Sequence, residues 1–136
     1  FDEIILPVLD EYAPELILVS AGFDAHERDP MATMKLSRAA YAAMGRRLAA
    51  MATAKAKGRL AFLLEGGYDL AALEGSLTAA LLAASGREGA EEPGGAPGQS
   101  GAPGQSAPPP RAPISTRHRA DLDRARRVAL RRWATL

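Results

Sequence analysis

Ser20-Ala21-Gly22-Phe23-Asp24-Ala25-His26-Glu27-Arg28-Asp29-Pro30 and, further on, Leu63-Leu64-Glu65-Gly66-Gly67-Tyr68-Asp69-Leu70 decide how this chain folds. Each run includes or follows a short apolar segment with the character of a buried strand, and each leads toward a segment with helical periodicity. In open α/β sheets the loops beyond the carboxyl ends of the strands form the crevice where ligands and chemistry gather. The pattern therefore sets Asp24 and Tyr68, 44 residues apart in sequence, on one rim. A carboxylate able to hold a metal and a phenol able to donate to an oxyanion would together make half of a hydrolytic site.

Upstream of the first run, Phe1, Ile4, Ile5, Val8, Leu9 and Tyr12 recur at helical spacing. Pro7 interrupts that pattern, so a kink is expected there, and Pro14 stops the helix. Leu16 to Val19 is short, apolar throughout and bounded by turn residues, which predicts a parallel strand covered on both faces. Gly22 to Leu36 reads as a loop with a turn at Asp29-Pro30. From Ser37 the period changes, and Tyr41, Met44, Leu48 and Met51 mark an apolar stripe with Arg46 and Arg47 off it. Lys55, Lys57 and Gly58 supply a basic last turn and a C-cap. Arg59 to Leu64 is the second strand. Asp69 is placed to cap a third helix, with Leu70, Leu73, Leu77 and Leu81 as its buried stripe and Gly86 at its end. This order predicts an α/β fold: a parallel sheet with flanking helices and right-handed crossovers.

Residues 87–113 differ in kind. Gly-Ala-Pro-Gly-Gln-Ser occurs twice in tandem, at 95–100 and 101–106, and prolines follow at 108–110. Without apolar periodicity or aromatics, such a stretch cannot offset the entropy cost of ordering, and it reads as a flexible Gly/Pro-rich linker. Residues 114–136 read as an Arg-rich C-terminal helix with Leu122, Ala125, Ala129 and Trp133 on one stripe. The net charge of +1 conceals a split: −5 over residues 1–110 and +6 over 111–136. A basic tail can bind nucleic acid, but an apolar stripe ending at Trp133 argues for packing on the acidic body, so nucleic-acid binding is the weakest reading.

The chain has 136 residues and no cysteine, which bounds it to one small domain without disulfides or thiolate zinc sites. No apolar stretch approaches the roughly 18 residues that span a bilayer, and no signal-peptide pattern opens it, so a cytoplasmic protein without a membrane partner is expected. It begins at Phe1 and enters an amphipathic pattern at once, as the end of something longer would.

The phrases AGFDAHERDP and LEGGYDL, in this order and at this separation, resemble the last two active-site segments of the zinc-dependent deacetylases. That family comprises the histone deacetylases, above all class II-like and bacterial members, and the acetylpolyamine amidohydrolases. The resemblance covers residues 1–86, about the last quarter to third of a family catalytic domain, and implies the C-terminal portion of an arginase/deacetylase-type fold. It implies a zinc-dependent amidohydrolase acting on acetyl-lysine or another acetylated amine.

By pattern alone, Asp24 is an aspartate making a turn or capping a helix; the resemblance puts it at the family's third zinc ligand. Tyr68 alone reads as a packed tyrosine in a tight turn, with Gly66 and Gly67 supplying unusual dihedrals. The resemblance makes it the catalytic tyrosine that donates to the substrate carbonyl, with Gly66 and Gly67 lining the acyl tunnel. Met31, seven residues after Asp24, falls at a tunnel-lining position and lacks the glutamate by which some polyamine-selective members recognise a cation. His26 is two residues from Asp24, but its position is not a ligand position in the family, so a supporting or surface histidine is expected.

The family's general-base histidine pair and its Asp-x-His ligands have no counterpart here, since only His26 and His118 are present. The fragment alone is therefore expected to be inactive, with the remaining zinc ligands outside this sequence. The alternatives are a non-catalytic remnant or structural fragment, and an acetylpolyamine amidohydrolase.

Overall fold

β1 (Ile17–Ala21) and β2 (Leu60–Leu64) pair in parallel, Ile17 opposite Leu60 and Ala21 opposite Leu64. They form the one sheet among the described residues of this computed structural model, which are 1–31, 33–87, 116–129 and 131. The order is α1 (Ile5–Tyr12), β1, α2 (Arg38–Lys55), β2, α3 (Leu70–Ala84) and α4 (Thr116–Ala129). The parallel pairing requires a crossover, and α2 makes it.

Local signals set most of the boundaries. Pro7 falls in the first turn of α1, where its missing N–H has no partner to lose, so it starts the helix without interrupting it. Ser37 caps α2 by accepting from the Ala40 amide, and α2 closes through two left-handed residues, Lys57 and Gly58. Asp69 caps α3 by accepting from the Ala72 amide at 2.8 Å. Gly86, at a φ of +70°, follows its end.

The sheet is covered on one face. Ile17, Val19 and Ala21 turn toward α2, where Ile17, Leu48, Ala52 and Ala56 form one apolar cluster and Ala21, Phe23, Tyr41 and Ala80 another. Leu18 and Leu63, on the opposite face, are 63% and 51% exposed. The expectation of a strand covered on both faces is thus corrected: the helices of this chain pack on one side, and the other presents bare leucines.

The helix stripes also differ from expectation. The buried residues of α2 are Tyr41, Gly45, Leu48 and Ala52, and those of α3 are Ala72, Ser76, Ala80 and Ala83. Leu70 and Leu81 are exposed, while Leu73, Leu77 and Met44 pack from the margin. The reason is the closeness of α2 and α3: a Cβ on Gly45 would overlap the Ala80 carbonyl oxygen, so small residues occupy the contact. No helix among the described residues is long and apolar enough to cross a membrane.

α1 is tied to α2 by ion pairs from Arg47 to Asp2 and from Lys55 to Asp10. In α4, Leu122 and Ala129 are half-buried whereas Ala125 is exposed, and Arg119 stands 3.8 Å from Glu3. The tandem hexapeptides, most of the expected linker, Trp133 and Leu136 lie outside the described residues.

Candidate functional site

Beyond the last paired residues of the sheet the two loops continue to hydrogen-bond: Glu65 N–H donates to the Ala21 carbonyl, and Phe23 N–H to that of Gly66 at 2.8 Å. This carries the parallel register past the strands and sets Asp24 beside Gly66. A Cβ on Gly66 would lie 2.7 Å from Asp24 Oδ2, and one on Gly22 would lie 3.3 Å from Oδ1. Two glycines thus form a cradle that leaves the half-buried carboxylate its room. Gly67 has a φ of +143°, and a side chain there would press on Phe23 and Leu73. Both positions require glycine for reasons of space or dihedral.

Met31 and Tyr68, the other two residues singled out from the sequence, are 71% and 60% exposed. Neither touches Asp24 through a described hydrogen bond. They are joined instead through Asp29. One oxygen of this buried carboxylate accepts the Met31 amide at 2.9 Å; the other accepts those of Tyr68 at 2.7 Å and Asp69 at 3.3 Å. Burial pushes the Asp29 carboxyl upward, but these three amides, with His26 nearby, outweigh it and hold the group below the usual carboxylate range. Arg28 adds an ion pair to Asp69 at 3.1 Å.

His26 is buried, which excludes the surface placement. Its Nδ1 accepts from the Arg28 amide at 3.1 Å, which orients the loop. Its ring lies parallel to that of Tyr41, centroids 6.4 Å apart, and Phe23 contacts Tyr41 at 5.0 Å. The Tyr41 hydroxyl is buried without a partner of good hydrogen-bond geometry, although the Ala25 backbone stands near it. Burial, and then the negative charges of Asp24 and Asp29, push this phenol up, so it stays protonated.

Asp29 and Tyr41 were missed as site residues in the sequence. Asp29-Pro30 reads as a turn, and Tyr41 falls on a helix stripe. One signal did exist for Asp29: the amides of a Gly-Gly-Tyr-Asp turn need acceptors, and a carboxylate on the facing loop supplies them.

Among the described residues no three His, Cys, Asp or Glu side chains cluster to hold a metal. The cradle around Asp24 nevertheless suits one carboxylate ligand, with its oxygens unencumbered by neighbouring side chains. The site therefore fits as part of a metal centre, with one donor.

The histone deacetylase domain family matches residues 1–84, more than half of the chain. Histone deacetylase 14, chloroplastic, from Arabidopsis thaliana is 39% identical over 88 residues, which is 65% of this chain and 21% of that protein. A probable deacetylase from Archaeoglobus fulgidus is 47% identical over 76 residues, 56% of this chain and 20% of the relative. The chain thus spans about a fifth of the length of these relatives. Among solved structures, the HDA15 HD domain superposes with a TM-score of 0.72 at 22% identity, covering 99% of this chain and 30% of that one, which speaks to the fold. The histone deacetylase Clr3 superposes with a TM-score of 0.69 at 28% identity, covering 98% and 19%.

Proposed function

The chain belongs to the histone deacetylase family, and on that footing we propose that residues 1–86 form the C-terminal part of a zinc-dependent deacetylase catalytic site. The observation that carries this reading is the glycine cradle around Asp24, built by the same loop pair that presents Tyr68. Asp24 would be one zinc ligand. When bound, the metal supplies polarisation of an amide carbonyl and acidification of a water. Tyr68 would donate a hydrogen bond from its hydroxyl to the carbonyl oxygen of an acetylated amine and hold that bond as negative charge develops there. Gly66 and Gly67 let the acyl chain approach the backbone, and Met31 offers an uncharged wall to the aliphatic stem of acetyl-lysine.

The bare sheet face supports the incompleteness of this unit. Parallel sheets are covered on both faces in α/β proteins, and two strands alone are marginal. Leu18 and Leu63 are where further structure would pack.

The reading is tested on two preparations. The 136-residue chain alone should release no acetate from an acetyl-lysine peptide and bind no stoichiometric zinc at nanomolar affinity. A complete deacetylase domain containing this sequence should release acetate and bind zinc stoichiometrically, and should prefer the peptide to an acetylated polyamine. Turnover by the chain alone contradicts the half-site; an inactive complete domain would leave a structural remnant as the reading.

A further inference from the structure

Arg28-Asp29 on the first loop and Tyr68-Asp69 on the second grip each other reciprocally. The Asp29 side chain takes the backbone amides of Tyr68 and Asp69, while the Arg28 side chain takes the side chain of Asp69. We propose that Asp29 is the positioning residue for Tyr68, fixing the backbone from which the phenol reaches the substrate and fixing Met31 on the facing wall by the same carboxylate. The inference rests on the reading of Tyr68 as the hydrogen-bond donor to the substrate carbonyl.

Three features make this a specific device and not a generic turn. First, the acceptor is 39 residues from the Tyr68 amide in sequence, so the bond joins two segments that the strands alone would leave free beyond their ends. Second, Tyr68 itself is exposed, so packing of its ring cannot hold its place; the backbone bond must. Third, both Asp29 oxygens are engaged, one by the Met31 amide of its own loop and the other by the Tyr68 and Asp69 amides of the second loop, so one buried group ties Met31 and Tyr68 together. His26 seats the loop from beneath through the Arg28 amide. A ring displaced by an ångström loses its aim on developing charge, and such misplacement can cost on the order of a hundredfold in rate.

Asparagine discriminates the roles of the two oxygens, because its amide keeps one acceptor and turns the other into a donor that faces an N–H. In a complete domain containing this sequence, Asp29→Asn should lower kcat about 10–100-fold, with KM within about threefold and zinc content unchanged. In a Tyr68→Phe background the same substitution should add less than about threefold, since the hydroxyl it positions is gone. An undiminished loss in that background, or loss of zinc along with kcat, shows a general structural role and overturns the proposal. Tyr68→Phe with full activity overturns the underlying reading of Tyr68 instead. Should Asp29→Asn not fold, amide exchange in the unmodified full chain decides: the Tyr68 and Asp69 amides should be protected to the level of β2. Exchange at the rate of an exposed loop overturns the clamp.

Discussion

The rim and the α2–α3 interface are built on opposite principles. At the rim, residues 22–31, 33–36 and 65–69 are in large part exposed and are held by directional bonds, among them two main-chain ladder extensions, three amides on Asp29 and the Arg28–Asp69 pair. Between α2 and α3 the contact rests on size: Gly45, Ser76 and Ala80 leave room for two backbones to meet. Apart from the glycines that leave room for Asp24 and Phe23, the first region tolerates change of size but not of donors and acceptors. The second tolerates change of polarity better than change of size.

Substitutions can break this contrast. The largest effect on stability is expected from Gly45→Val, which forces branched carbons into the Ala80 carbonyl; overpacking of this kind costs about 1–3 kcal/mol or more. Urea unfolding of the chain should show it, and a loss below about 0.5 kcal/mol would mean that the helices part easily. Asp69→Ala removes the α3 cap and the Arg28 partner together. It should cost about 1 kcal/mol in the same measurement.

Gly66→Ala should act on the site more than on the fold, because its methyl would meet the Asp24 carboxylate. In the complete domain it should lower zinc content while the melting temperature moves by only a few degrees; intact zinc would show that the cradle is not needed. Acid gives a subtler test. Asp29 is held below its ordinary value, so its contribution is fully present above about pH 3.9 and fades as pH falls through the lower folded value. The Tyr68 amide shift should therefore stay constant from pH 7 to 5 and move only in stronger acid. The smallest effect belongs to Arg119→Ala, whose exposed pair with Glu3 is expected to contribute less than about 1 kcal/mol.

The same contrast explains what could be read from the sequence. Strands, caps and the placing of Asp24 and Tyr68 on one rim follow from local signals: apolar runs, Asp69 before a helix, glycines after a strand. The expected stripe of α2 holds, with Tyr41 and Leu48 buried and Met44 and Met51 packed on the core, whereas that of α3 holds only in Leu73 and Leu77, because its closest contact is made by residues with small side chains. Leu70 and Leu81 are exposed because α3 turns Ala72, Ser76, Ala80 and Ala83 inward. Asp29 is harder to read for another reason: its partners are backbone amides on a distant segment, and the only pointer is that the amides of the Gly-Gly-Tyr-Asp turn need acceptors.

The central claim is that one rim carries a metal-holding carboxylate and a hydrogen-bond-donating phenol with separable tasks. Zinc content and kcat, measured side by side for Tyr68→Phe and Asp24→Ala in a complete domain containing this sequence, test it most directly. Tyr68→Phe should keep its zinc and lose about 10²–10³ in kcat on an acetyl-lysine peptide, whereas Asp24→Ala should lose the zinc itself. Equal zinc loss in both variants, or unchanged turnover in Tyr68→Phe, would contradict the division of labour between the two loops.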